Sequence, residues 1–197
     1  MSKRFLTREL IICKAFKMID ESGLNAFSVR GLAAELGVQV SSLYNHIHNE
    51  NDLLIEVAKR AGDLYTQIIK GTMYGLPLDE ATVKAGEAFS DFVTKHKYLY
   101  ELLLDRRLIG TPEFEDANKR FTQPIYYILE QYGIKDKTAS DHLYVMLRTV
   151  THGFALLDAL GIFDGLSVDP AESYRMMMDS VIGMMKELAK KDGNNQG

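Results

Sequence analysis

The feature that most constrains this chain is a helical period that runs through nearly all of it. Ile12, Ala15, Phe16 and Ile19 fall at i, i+3, i+4 and i+7, one apolar stripe of a helix. Val29, Leu32, Ala33 and Leu36 repeat the pattern over a shorter span. No stretch alternates apolar and polar residues long enough to build a sheet, so the spacing predicts an all-α fold. Gly23 ends the first helix, and Ser28 is placed to cap the second. Gly37 stops that one, and a third covers roughly Gln39 to Ile47. Asn49 is the natural cap of a fourth, with Asp52 in the capping-box position, running to about Lys70. The connection GTMYGLPLD (71–79) leads to helices expected at about 80–95, 98–109, 113–132, 138–162 and 170–190.

With 197 residues the chain is long enough for a real core, as one globular unit or as a small domain joined to a larger one. No apolar run approaches the roughly 18 residues of a spanning helix, which excludes an integral membrane protein. The start, MSKRFLTREL, is charged and lacks the apolar segment of a secretory signal. The single Cys13 has no partner for an intramolecular disulfide, as expected of a cytoplasmic protein, and reads as a small buried hydrophobe. Net charge is −4, but residues 1 to 50 carry six basic and five acidic side chains against seventeen and twenty-two in the remainder. That asymmetry permits an N-terminal contact with phosphates.

One stretch fits a surface better than an interior. GVQVSSLYNHIHNENDLL (37–54) is rich in short hydrogen-bonding side chains and poor in long apolar ones. Ala33 followed four residues later by Gly37 is the arrangement of a helix-turn-helix, in which alanine lets the helices pack and glycine permits the turn. Leu32, Leu36, Val38 and Leu43 take its core-facing positions. The polar residues of the third helix are left facing outward, where such a helix fits the major groove of DNA.

FSVRGLAAELGVQVSSLYNHIHNENDLL resembles the DNA-binding segment of the TetR family of bacterial transcriptional regulators. The match spans about Thr7 to Leu54 and rests on Gly23, Leu32-Ala33, Leu36-Gly37-Val38, Leu43-Tyr44, His46 and Leu53-Leu54. THGF (151–154) resembles a variant of the Trp-His-Gly motif in one class of C-terminal domains of that family, with Thr151 in place of Trp. The resemblance implies a DNA-binding domain over 1–50 and a ligand-binding and dimerisation domain over 51–190; the polar tail over 191–197 is expected to be disordered. It also implies roles. Arg30 would hold a guanine, Gln39 read a base edge and Val40 touch a thymine methyl. Ser41, Ser42, Tyr44 and His46 would donate to phosphates, with Asn45 beside them. Where the family commonly opens helix four with lysine, this sequence has Glu50, which suits a helix N-terminus but cannot hold a phosphate. Either an N-terminal arm of Lys3, Arg4 and Arg8 compensates, or non-specific binding weakens.

The same resemblance implies a small-molecule effector in the C-terminal helices and a palindromic operator as partner; no cofactor is expected. Among polar and aromatic residues there, Phe92, Phe121, Tyr126, Arg148 and His152 are the candidate ligand contacts, Arg148 and His152 sharing one helix face. Core packing explains them as well. The apolar stripes of helices 138–162 and 170–190 serve either an internal core or a homodimer built as a four-helix bundle. An enzyme using the aromatic cavity, with His152 as acid/base, is the competing reading; no nucleophile–base pair, phosphate loop or metal-ligand spacing supports it.

Overall fold

The structure is a computed structural model that describes residues 6–194, with side chains up to Lys191. Among them are nine helices and no strand. They are α1 (Arg8–Ser22), α2 (Val29–Leu36), α3 (Val40–Leu43), α4 (Glu50–Met73), α5 (Leu78–Lys95), α6 (Lys97–Leu103), α7 (Pro112–Gln131), α8 (Lys137–Ala159) and α9 (Pro170–Asn194). No helix among the described residues is long and apolar enough to cross a membrane. The expected end of α9 at 190 is exceeded, since its backbone stays helical to Asn194; residues 195–197 of the expected tail lie outside the described part.

Short polar residues set most helix starts. The Thr7 hydroxyl accepts the Leu10 N–H (3.2 Å), Ser28 that of Gly31 (3.0 Å) and Asp136 that of Ala139 (2.7 Å). Asn49 accepts from Asp52 N–H at 2.9 Å, while the Asp52 carboxylate reaches back to the His48 N–H at 3.1 Å. Pro112 and Pro170 open α7 and α9, where a missing N–H costs nothing.

Three helices end clearly before the periodicity predicts; α8 stops at Ala159 rather than 162, and two others change more. The third stops at Leu43, because the chain tightens so that His46 N–H meets the Leu43 carbonyl at 2.8 Å. Tyr44, Asn45 and His46 therefore sit on a turn after α3. The sixth stops at Leu103 instead of 109. Leu104 and Asp105 fold back onto the Glu101 and Leu102 carbonyls, and the Asp105 carboxylate captures the Arg107 N–H at 2.8 Å.

Contacts gather the chain into two units that interleave in sequence, whereas the expected boundary at residue 50 separated consecutive segments. One unit takes the chain up to Leu64 with His96–Phe121; the other takes Tyr65–Lys95 with everything from Thr122. In the first, α1 packs on α2 and α6, and α2 on α3. Ile11, Ala15, Leu32, Leu43 and Leu53 are sealed in its core. In the second, α8 packs against α5 and α9. Leu143, Leu147, Tyr174, Met178, Val181 and Met185 form its core.

Candidate functional site

In the first unit the turn between α2 and α3 is built by backbone bonds. Gly37 N–H donates to the Ala34 carbonyl (3.1 Å) and Val38 N–H to that of Ala33 (3.0 Å). This pairing closes a helix only if the residue between is left-handed, and Gly37 has φ 68°, ψ 33°. Leu32, Ala33 and Leu43 are buried beneath the turn, with Leu36 and Val38 half-buried. Arg30, on α2, is exposed; Gln39, Ser41, Tyr44 and Asn45 are exposed and Val40, Ser42 and His46 half-buried, so these seven form one accessible stretch of helix and turn. Tyr44 keeps 48% of its surface, unusual for a ring with buried leucine and isoleucine neighbours.

Most cations around this unit are spoken for. Lys14 pairs with Glu35 at 2.7 Å, Arg60 with Glu9 at 2.6 Å and Arg120 with Asp63 at 2.8 Å. Arg8 pairs with Asp52 (3.0 Å) and Glu56 (3.6 Å), so the one described member of the expected basic arm is turned inward; Lys3 and Arg4 lie outside the described residues. Arg30 has no ion-pair partner among the described residues. Cys13, expected to be buried, is exposed with its Sγ 3.6 Å from Glu9 Oε1, because it falls on the solvent side of the Ile12–Ala15–Ile19 stripe. Periodicity gave no sign of Arg107. It grips Asp105 at 2.8 Å, lines one surface groove with His48, Asn49 and Asn51, and feels the Glu50 charge. It thus brings a cation near the start of α4, and its only trace in the sequence is the doublet Arg106-Arg107.

The second unit contains a small cavity of about 30 Å³ among α4, α5, α7, α8 and α9. Tyr65, Phe89, Ile125, Ile128, Leu147 and Met178 give it apolar walls; Arg148 is its single charged lining residue. The Arg148 guanidinium lies 5.9 Å from the centre of the Phe89 ring. Thr151, which replaces Trp in the motif, is buried on the wall with its hydroxyl donating to the Leu147 carbonyl at 2.8 Å. At the rim of this core Tyr132 donates to Asp79 at 3.0 Å, and Lys186 pairs with the same carboxylate. Burial chiefly, with Asp79 adding to it, pushes the Tyr132 hydroxyl up to about 12, while Lys186 holds Asp79 below the usual carboxylate range.

Of the five expected ligand contacts only Arg148 lines the cavity. Phe92 is buried edge-on to Tyr65 at 5.3 Å, in the core behind the wall. Phe121 belongs to the first unit and packs against Tyr100 at 5.9 Å. Tyr126 is 38% exposed and stacks on Tyr144 at 5.1 Å. His152 is half-buried one turn beyond Arg148; burial first, and Arg148 second, hold its pKa below the ordinary value. The long apolar stripes also divide. Leu143, Leu147, Tyr174 and Met178 face inward, whereas Leu156, Leu157, Leu160, Met176, Met177 and Met184 are exposed. No cluster of His, Cys, Asp and Glu able to hold a metal occurs among the described residues.

Residues 82–181 match the model of the tetracycline-repressor-like C-terminal domain, more than half of the chain. This chain belongs to the TetR family of transcriptional regulators. It is 28% identical over 167 residues to an uncharacterised HTH-type transcriptional regulator of Mycobacterium tuberculosis, covering 83% of this chain and 75% of that one. It is 27% identical over 169 residues to the class D tetracycline repressor of Escherichia coli, covering 82% of this chain and 62% of that repressor. In fold it resembles a TetR regulator of Streptomyces coelicolor (TM-score 0.73, 17% identity, covering 94% and 100% of the two chains). It also resembles ActR of the same organism in complex with actinorhodin (TM-score 0.64, 21% identity, 94% and 99%). As a TetR regulator the protein is a ligand-responsive, DNA-binding transcription factor, and nothing in these likenesses favours an enzyme.

Proposed function

We propose that this TetR regulator represses transcription by binding a palindromic operator as a homodimer, and that a small molecule entering the α5–α7–α8 cavity releases it. The observation that carries the first half is the accessible polar face of α3 and its following turn, together with an exposed Arg30 at the start of α2. Arg30 takes a guanine edge, Gln39 a second base and Val40 a thymine methyl. Ser41, Ser42, Tyr44, Asn45 and His46 grip phosphates on either side. Two copies present these faces about 34 Å apart, one turn of B-DNA. The exposed apolar residues of α8 and α9 meet their counterparts in the second copy, burying what water would otherwise cover.

ActR, bound to actinorhodin, supplies the analogy for a ligand. At about 30 Å³ the cavity has room for roughly one water, against the 300–1,000 Å³ of ordinary ligand sites, so binding requires the walls to part. That movement is a route to regulation, since α4 and α7 are each continuous between the two units. A coupling of only about 1–3 kcal/mol changes operator affinity by up to about 150-fold.

The test is selection of bound duplexes from a random library by the purified protein at two salt concentrations. Recovery of an inverted repeat, with affinity falling linearly in log–log salt, is the expected result. Recovery of unrelated sequences at low salt only means that contacts stop at phosphates, and the operator reading fails.

A further inference from the structure

A surface groove of about 480 Å³ lies in the second unit where α4 gives way to α5. It is lined by the end of α4 and the turn after it (Lys70, Met73, Tyr74), by Ala81 on α5 and by Tyr127 and Gln131 on α7. The small cavity is walled by the same three helices, yet the two spaces share no lining residue. Their linings alternate instead. Ile69 lines the cavity and Lys70 the groove, Thr82 the cavity and Ala81 the groove, Ile128 the cavity and Tyr127 the groove. Successive residues of an α-helix point about 100° apart, so each pair marks a place where one helix divides the two spaces. At 81 and 82 the divider is an alanine methyl and a threonine, both buried.

The α4 side of this divider is the least tied down. The first turn of α5 is held by Asp79, which takes the Tyr132 hydroxyl and pairs with Lys186, and by Thr82 donating to the Leu78 carbonyl at 2.8 Å. Lys70, Tyr74, Tyr127 and Gln131 are all exposed, and their side chains have no hydrogen-bond or ion-pair partner among the described residues. Leu76 N–H donates to the Met73 carbonyl at 3.2 Å, in a turn whose Gly75 takes φ 76°. Nothing stands within 4 Å of a Cβ built at Gly71 or Gly75, so open space adjoins the end of α4. The two spaces also differ in chemistry. The groove presents an ammonium, two phenols and an amide, and Lys70 is the one charged residue of its lining. Ile69, Phe89, Ile125 and Ile128 make the near walls of the cavity apolar. An apolar end suits the inner space and an anionic end the outer one.

Resting on the reading of the cavity as the effector site, we propose that this groove is its mouth: an effector with an apolar body and an anionic end enters between α4, α5 and α7, displaces the last turn of α4, and leaves its charge in the groove beside Lys70. A guest of the opposite charge meets Lys70 and is refused.

The probes are 2-naphthoate and 2-naphthylmethylammonium, one shape with opposite charges, titrated calorimetrically into the full-length protein, with release of the selected operator as a second readout. Lys70→Glu reverses the charge of the groove at an exposed position, so naphthoate affinity drops at least about tenfold and the ammonium gains. A plug tests access. Cys13 is the single cysteine and is exposed, so in a Cys13→Ser background Tyr127→Cys labelled with N-phenylmaleimide carries its added bulk in the groove. Naphthoate binding and operator release both weaken at least about tenfold against the unlabelled Tyr127→Cys protein. Lys95→Cys, exposed and outside the groove lining, responds alike with and without the label. Equal naphthoate affinity in wild type and Lys70→Glu overturns the anionic class. Undiminished release by the plugged protein overturns the mouth while the effector cavity stands. Binding that the plug blocks but that never releases the operator overturns the effector reading, and the proposal with it. No binding and no release by either probe removes both.

Discussion

On α2, α3 and the turn that follows, Arg30, Gln39, Ser41, Tyr44 and Asn45 are exposed, with Ala34 and Glu35 beside them in sequence; at the end of α8 and just past it, Leu156, Leu157 and Leu160 are exposed around Asp158. Each surface would be costly for the other's partner. A polyanion rewards donors and cations that are not already paired, and the first unit withdraws Arg8, Lys14 and Arg60 into ion pairs while Arg30 has none among the described residues. An apolar strip rewards an apolar strip, which a second copy of the same helix provides. The interiors differ as well. The first unit closes on aliphatic and aromatic side chains, Tyr100 among them, whereas the second adds two buried threonines at its cavity and an arginine on the wall. A unit that only has to present a face can have a plain core; one that must recognise a guest keeps polar groups inside.

Breaking the apolar surface tests this contrast most severely. Leu156→Arg with Leu160→Arg places four like charges across the proposed two-fold. Sedimentation should then report a monomer, and operator affinity should fall by about a thousand-fold as the two half-sites lose their linkage. A variant that stays dimeric puts the interface elsewhere. Next comes the polar surface. Arg30→Ala with Tyr44→Ala removes a bidentate base contact and a phosphate contact, about 2–4 kcal/mol, or a loss of at least about thirty-fold in operator binding by anisotropy. Both residues are exposed, so the melting temperature should hold. Undiminished operator binding would mean that another surface reads the DNA.

The first unit was largely legible in the sequence because its determinants are local. Ser28, Gly37 and Asn49 each act within a few residues, and the left-handed Gly37 fixes the angle at which Leu43 meets Leu32. What escaped there was also short-range but side-chain driven: Asp105 capturing its neighbour's N–H ends α6 early, and the tightened turn leaves Tyr44 beyond α3. The second unit's site was not legible. Aromatic content pointed to Phe92, Phe121 and Tyr126, yet the cavity forms where Gly86 and Thr151, two small residues 65 positions apart, line it together with Ala85. Space is made by what is absent from a side chain, and only the packing of distant helices reveals it. Among the charged residues, Arg148 was visible because it interrupts an apolar helix.

Gly86→Ala sharpens the interior half of the comparison. Its methyl has no room against the Tyr174 oxygen and must displace the ring, at a cost of about 1–3 kcal/mol in chemical denaturation. Tyr174→Phe in the same chain should recover part of that loss, since the nearest remaining ring carbon is 2.9 Å away and still tight. Additive effects of the two changes would mean that they do not share the space. Gly37→Ala is the matching change in the first unit. It pays for a left-handed backbone with nothing within 4 Å to collide with, so it should cost about 1 kcal/mol and no second substitution should rescue it.

The smallest effect is one of pH, and its sign separates the units. His152 in the second unit is held below its ordinary pKa by burial and by Arg148, so the folded state binds its proton less readily than the unfolded chain does. Stability from this residue is therefore intact above the unfolded pKa of about 6.5 and declines as the pH falls below it, because the unfolded form takes up the proton first. Melting temperatures followed from pH 8 to pH 5 should decline less steeply in His152→Gln than in the wild type. The two curves should converge above pH 7. A steeper decline in the variant would mean that His152 is more comfortable charged, with an acidic neighbour outweighing Arg148. It would also change what the cavity wall offers a ligand, since a cation would then stand one turn beyond the guanidinium.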